Sequence, residues 1–133
     1  MLDLHASNLE AAKVAVGASV ALKEVHTVAE DLNLVKLRAV NLGATGFDLV
    51  ESSLMLHHVQ NLEDLLSDIY NLLVPGGVFV VLDVIDLNVK EADMLHAEHS
   101  YVPPFHGVEF FRTHQELLAL MSNAGFVLLN YTR

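Results

Sequence analysis

The chain has 133 residues, 53% hydrophobic and 18% charged, which suits one globular domain spanning residues 1–133 and excludes a disordered chain. Its 17 acidic and 7 basic side chains give a formal net charge of -10, which argues against a nucleic-acid or membrane-surface partner, since both need clustered Lys and Arg. Without cysteine there is no disulfide framework and no thiolate chemistry, so a reducing compartment, the cytoplasm by default, is expected. The opening MLDLHASNLE lacks the basic start and apolar run of a leader, and no apolar stretch approaches the ~20 residues of a membrane helix.

Taken in chain order, Leu9, Ala12, Val16, Val20, Val25 and Val28 recur at roughly helical spacing, and Ser7 or Asn8 can cap the start. The spacing predicts a long helix from Ser7 to about Asp31. Val35 to Val40 (VKLRAV) alternates apolar and basic residues at period two, which predicts a strand ending at Asn41. After the NLGATG loop, Phe47 to Ser52 reads as a short strand. Leu62, Leu65, Leu66, Ile69, Leu72 and Leu73 form the apolar face of a helix whose acidic start, Glu63-Asp64, suits the positive end of the helix dipole.

Pro75-Gly76-Gly77 is read as the stop of that helix and a tight reversal into Val78 to Leu82 (VFVVL), an apolar run expected to be covered on both faces. Asn88 to Gly107 is weakly patterned. Thr113 then caps a helix carrying Leu117, Leu118, Leu120 and Met121 and ending at Gly125, and Val127 to Tyr131 reads as a last strand. Helices alternating with buried strands predict an α/β fold with a mostly parallel sheet and helices on both faces.

Four segments carry a resemblance: Asp3 to Lys13 (DLHASNLEAAK), Phe47 to Val59 (FDLVESSLMLHHV), Leu73 to Phe79 (LVPGGVF) and Leu117 to Phe126 (LLALMSNAGF). In order and spacing they resemble the class I S-adenosylmethionine-dependent methyltransferases of the small-molecule type, similar to the quinone-biosynthesis enzymes. The resemblance implies a Rossmann-like fold, S-adenosylmethionine as cofactor and a small-molecule methyl acceptor. It also implies that Asp3, with Leu4 beside it, closes the second strand and holds the cofactor ribose. Asn41, followed by Leu42, stands where the family has an acid at the adenine, and Ser53 stands at a position that meets the methionine half. The switch-point rule agrees, because ligands in open α/β sheets sit beyond the carboxyl ends of the strands.

The family's first strand with its glycine-rich loop, and its last strand, have no counterpart in this sequence. The expected sheet is therefore incomplete relative to the seven-stranded fold. Three completions are open: further chain, a second copy or partner chain, or strands that pair anew. The alternative function is a non-catalytic methyltransferase-like interaction or regulatory module.

Methyl transfer is an in-line displacement in which the protein chiefly aligns donor and acceptor, so no catalytic residue is obligatory. Where the acceptor must lose a proton, His57 or His58 after the fourth family strand is the candidate base; the alternative is that the pair only packs against the sheet. Asp83 and Asp86 follow the VFVVL run and read as a polar loop facing the same crevice. His96, His99, His106 and His114, with Asp93 and Glu98, match no compact metal-ligand pattern, and a lid over a substrate pocket is the expected role of that stretch.

Overall fold

A computed structural model describes residues 2–3, 10–11, 14, 28–29, 32, 34–42, 46–83, 110 and 112–132. Two short strands open the chain, β1 (Leu2–Asp3) and β2 (Val28–Ala29), paired in parallel with Leu2 opposite Val28 and Asp3 opposite Ala29. A parallel pair needs a crossover, and Glu10, Ala11 and Val14 between them are helical. The helix expected to reach Asp31 therefore ends before Val28. The β-branched Val28 takes extended backbone because β1 offers it a ladder.

The strand expected over residues 35–40 is instead a 3-10 turn, Leu37–Ala39. Its alternation serves another purpose. Leu37 is buried in the core, while the basic residues on either side of it are tied to one helix. Lys36 Nζ lies 2.7 Å from Asp64 Oδ2, the Arg38 backbone N–H donates to Asp68 Oδ2 at 3.1 Å, and the Arg38 guanidinium lies 3.4 Å from Asp68 Oδ1.

That helix, α1 (Leu62–Leu72), joins β3 (Phe47–Ser53) to β4 (Leu73–Leu82), which are parallel. The Asn61 side chain caps α1 by accepting from the Asp64 N–H, and Glu63 and Asp64 occupy the first turn, as expected from the sequence. Leu62, Leu65, Leu66 and Ile69 are its buried stripe. The helix stops at Leu72, ahead of the Pro-Gly-Gly segment. That segment is a bulge within β4: Phe47 faces Leu73, yet Leu49 already faces Val78, so the residues between are looped out. Gly76 has φ +84°, and a Cβ on Gly77 would stand 3.0 Å from the carbonyl oxygens of Phe47 and Val74. Glycine is required at the first by its backbone and at the second by close approach.

From Leu49–Val78 to Ser53–Leu82 the ladder is regular. Phe79 and Val81 turn towards the core with Val50, whereas Leu49, Val78, Val80 and Leu82 are exposed. The VFVVL run is thus covered on one face, not two.

α2 (His114–Asn123) starts with a reciprocal cap: Thr113 Oγ1 accepts the Glu116 N–H, and Glu116 Oε2 accepts the Thr113 N–H at 2.8 Å. Gly125 (φ +104°) ends it. Phe126 then packs on Tyr70 of α1 and Phe79 of β4, with ring centroids 5.3 and 5.5 Å apart. α1 packs on β4 and α2 on α1, so both helices lie over the covered face.

Residues 127–131, expected as a strand, make no ladder with any described strand, and Val127 is 81% exposed. Strand propensity becomes a strand only where a neighbour supplies hydrogen bonds. The architecture is α/β with parallel strand pairs, and among the described residues no ladder joins β1–β2 to β3–β4. No described helix is long and apolar enough to cross a membrane.

Candidate functional site

The crevice predicted for a parallel α/β sheet lies beyond the carboxyl ends of its strands. β3 and β4 finish level, with Ser53 opposite Leu82, and the Leu54 N–H closes the ladder on the Leu82 carbonyl at 2.7 Å. Leu54 then adopts φ +50°, the one positive φ outside glycine among the described residues. A leucine in that region is strained, and strain of this kind collects where a chain is held in a set course. The course here leads into a 3-10 turn, Leu56–His58, that carries both candidate histidines.

Asp83, the first residue after β4, meets that turn. Its Oδ2 accepts the Leu56 N–H at 2.6 Å, its Oδ1 lies 2.5 Å from His57 Nδ1, and its side chain is 2% exposed. His57 Nδ1 and Asp83 Oδ1 share this hydrogen bond, with the donor set by the tautomer of the ring. The His57 and His58 rings stack at 4.1 Å between centroids.

Arg112, ahead of α2, pins the turn from the other side. Its guanidinium donates to the carbonyls of Phe110 at 2.9 Å, Val59 at 2.9 Å and Gln60 at 3.0 Å. Burial lowers its pKa from the ordinary arginine value, and the charges of Glu116 and Asp83 oppose that shift. Phe110 returns the contact, its N–H donating to the His57 carbonyl at 2.6 Å. His57, Asp83, Phe110 and Arg112 line a small cleft floored by Leu56, Leu62 and Leu117.

The sequence-derived residues are distributed unevenly around this point. Ser53, His57 and His58 meet at the β3–β4 end. Asp3 closes β1, at the carboxyl end of the other parallel pair, and Leu4 lies outside the described residues. Asn41 and Leu42 follow the 3-10 turn and not a strand end, because the strand expected before them does not form; Leu42 packs against the core.

Asp83 was read as part of a polar loop facing the crevice, and Arg112 carried no signal: beside the nearby Phe110 carbonyl, its partners are the Val59 and Gln60 carbonyls, 53 and 52 residues earlier. His96, His99, His106, Asp86, Asp93 and Glu98 lie outside the described residues. His114 opens α2 with its ring 4.1 Å from that of Tyr131. Among the described residues no three His, Asp or Glu side chains gather as metal ligands.

Comparison with known proteins places this geometry. The sequence pattern of a family described as a methyltransferase domain matches residues 5–131. No protein of curated function matches the chain. Among solved structures it is similar to a candidate methyltransferase from Bacillus halodurans C-125, at 19% identity and a TM-score of 0.66, over 97% of this chain and 53% of that one. The chain thus spans about half the length of that relative and shares its fold.

Proposed function

Because the chain belongs to the methyltransferase domain family, we propose that it forms the catalytic fold, or a large part of it, of a class I S-adenosylmethionine-dependent methyltransferase acting on a small-molecule acceptor. The observation that carries this reading is the family match over residues 5–131, together with two parallel strand pairs whose carboxyl ends bear the polar residues such a site needs.

The donor set fits the cofactor. Ser53 presents an exposed hydroxyl where β3 ends, and Asp3 supplies a carboxylate where β1 ends, suited to accepting both ribose hydroxyls. In this reading Asp3 and Leu4 take the ribose, Ser53 the methionine half, and Asn41 with Leu42 the base. Bound there, the cofactor supplies an electrophilic methyl group on a sulfonium. The protein's share of the work is alignment and exclusion of water. A second copy or a partner chain would complete the sheet beside the two strand pairs, and the cytoplasm is the proposed compartment. Nucleic acid and membrane are not proposed as partners, in keeping with the net charge of -10.

Calorimetric titration of the folded chain with S-adenosylmethionine and S-adenosylhomocysteine tests the reading. Both should bind, and Asp3→Ala should weaken binding about 10- to 100-fold, the worth of hydrogen bonds to a charged group. Absence of heat from a folded chain would leave the non-catalytic module in its place.

A further inference from the structure

We propose that Arg112 is a positioning residue that sets the width of the strand-end cleft: its guanidinium spans two groups of backbone carbonyls and fixes the turn after β3 against the chain ahead of α2. The geometry carries this by itself, whatever ligand the cleft takes, and no part of it depends on the methyltransferase reading.

The two terminal nitrogens of the guanidinium serve different walls of the cleft. Nη1 donates to the carbonyl of Phe110, two residues back along its own wall, at 2.9 Å, and lies 3.5 Å from the Leu56 carbonyl. Nη2 donates to the carbonyls of Val59 at 2.9 Å and Gln60 at 3.0 Å, in the chain that runs from the turn into α1. Resonance keeps the group flat, so the separation of Nη1 from Nη2 is a fixed gauge, and the two sets of carbonyls are held at that spacing. The Phe110 N–H ties the walls a second time by donating to the His57 carbonyl at 2.6 Å. Val59 is 3% exposed, so its carbonyl needs a donor from the protein, and Arg112 supplies one.

Helix stability does not ask for a cation at this place. Arg112 stands just ahead of the start of α2, and its Nη2 bonds the residues that lead into the start of α1. Both are the positive ends of helix dipoles, where a positive side chain is unfavourable. Burial also disfavours the charged form, and the charges of Glu116 and Asp83 offset that only in part. A neutral side chain would escape both costs, but it could not reach carbonyls on two walls at once. A lysine would keep the charge, yet it ends in a single nitrogen with no fixed plane, so it cannot hold both sets at a set spacing. The cleft between the walls has a free volume of about 10 Å³, room for about one water molecule, so its width decides whether anything larger enters.

Arg112→Lys in the full chain separates the fork from the charge, and Arg112→Met removes both. Amide hydrogen exchange followed by NMR should find the Phe110 amide exchanging about 10- to 100-fold faster in either variant, the worth of hydrogen bonds to a charged group. The amide signals of His58 and Val59, in the facing wall, should move. Those of Leu66 and Ile69, in the body of α1, should exchange nearly as in the wild type, because their helix bonds and buried side chains do not involve Arg112.

A Phe110 amide as protected in Arg112→Lys as in the wild type overturns the proposal, because charge without the fork would then hold the walls. An equal rise in exchange at Leu66 and Ile69 overturns it too, since that marks a general loss of stability and not a released wall. If neither variant folds, the wild type decides. Nitrogen-15 NMR of the labelled full chain should resolve two Nη signals for Arg112, their interchange slowed by the hydrogen bonds on either side. A single averaged signal shows a guanidinium that rotates freely and holds neither wall, which overturns the proposal as well.

Discussion

The two faces of the β3–β4 pair are made by the same strands and have opposite surroundings. Under α1 and α2, Val50, Phe79 and Val81 join a core in which Leu66 is 0% exposed. On the other face Leu49, Val78, Val80 and Leu82 meet solvent, Leu82 at 63% exposure. Residues of similar hydrophobicity thus differ in what they contribute, because stabilisation follows the apolar area removed from water and not the residue type.

The sharpest test of the contrast is a pair of truncations followed by urea denaturation. Leu66→Ala should cost about 2–5 kcal/mol, and Leu82→Ala no more than about 0.5 kcal/mol. A Leu82 cost near that of Leu66 would mean that the open face is covered in solution.

Next in size is Gly125→Ala, at the corner where α2 hands over to Phe126. The glycine has φ +104°, and a Cβ there would stand 2.9 Å from Cζ of the Tyr70 ring. A loss of about 1–3 kcal/mol is expected, visible as a lower melting temperature. Gly76→Ala, with a similar φ of +84° but nothing within 4 Å, should cost clearly less. Equal costs would show that the Tyr70 contact does not matter.

The cap of α2 follows. Thr113→Ala should remove about 0.5–2 kcal/mol. The backbone and hydroxyl of Thr113 lower the Glu116 pKa from its ordinary value, as Lys36 lowers that of Asp64. Carboxyls depressed in the fold stabilise it above their unfolded pKa, and that contribution is lost as pH falls through the depressed values. Stability should therefore drop on the acid side of the carboxylate range, and less steeply in Thr113→Ala. An unchanged acid slope would show that the cap is not formed in solution.

Smallest is Ser52→Ala, a polar position on the covered face. Ser52 is 3% exposed and its hydroxyl has no hydrogen-bond partner among the described residues. Its removal should be neutral or stabilising by up to ~1 kcal/mol. A clear loss would reveal a partner for the hydroxyl.

Elements whose signals are local were legible. α1 announces itself by its acidic start at Glu63-Asp64 and α2 by its cap at Thr113, both by an apolar stripe at helical spacing and α2 by a closing glycine. β3 was legible within a residue of its end. Three other segments were not. Val28–Ala29 is strand because Leu2–Asp3 lies beside it; residues 35–40 form a turn because Asp64 and Asp68 attract Lys36 and Arg38; residues 127–131 join no ladder with the described strands. The candidate site divides the same way. Ser53, His57 and His58 were found from the pattern after β3, whereas the roles of Asp83 and Arg112 emerge only where distant segments touch.

By itself the sequence determined the family, the α/β class and the elements that satisfy their own hydrogen bonds or caps within a few residues. Tertiary structure decided which apolar stretches became strands, which sheet face was covered and which histidine met a carboxylate. The physical reason is range. A helix closes its bonds four residues away, but β3 finds its ladder in β4 only across α1, and His57 meets Asp83 26 residues along the chain. No local pattern records a partner at that distance.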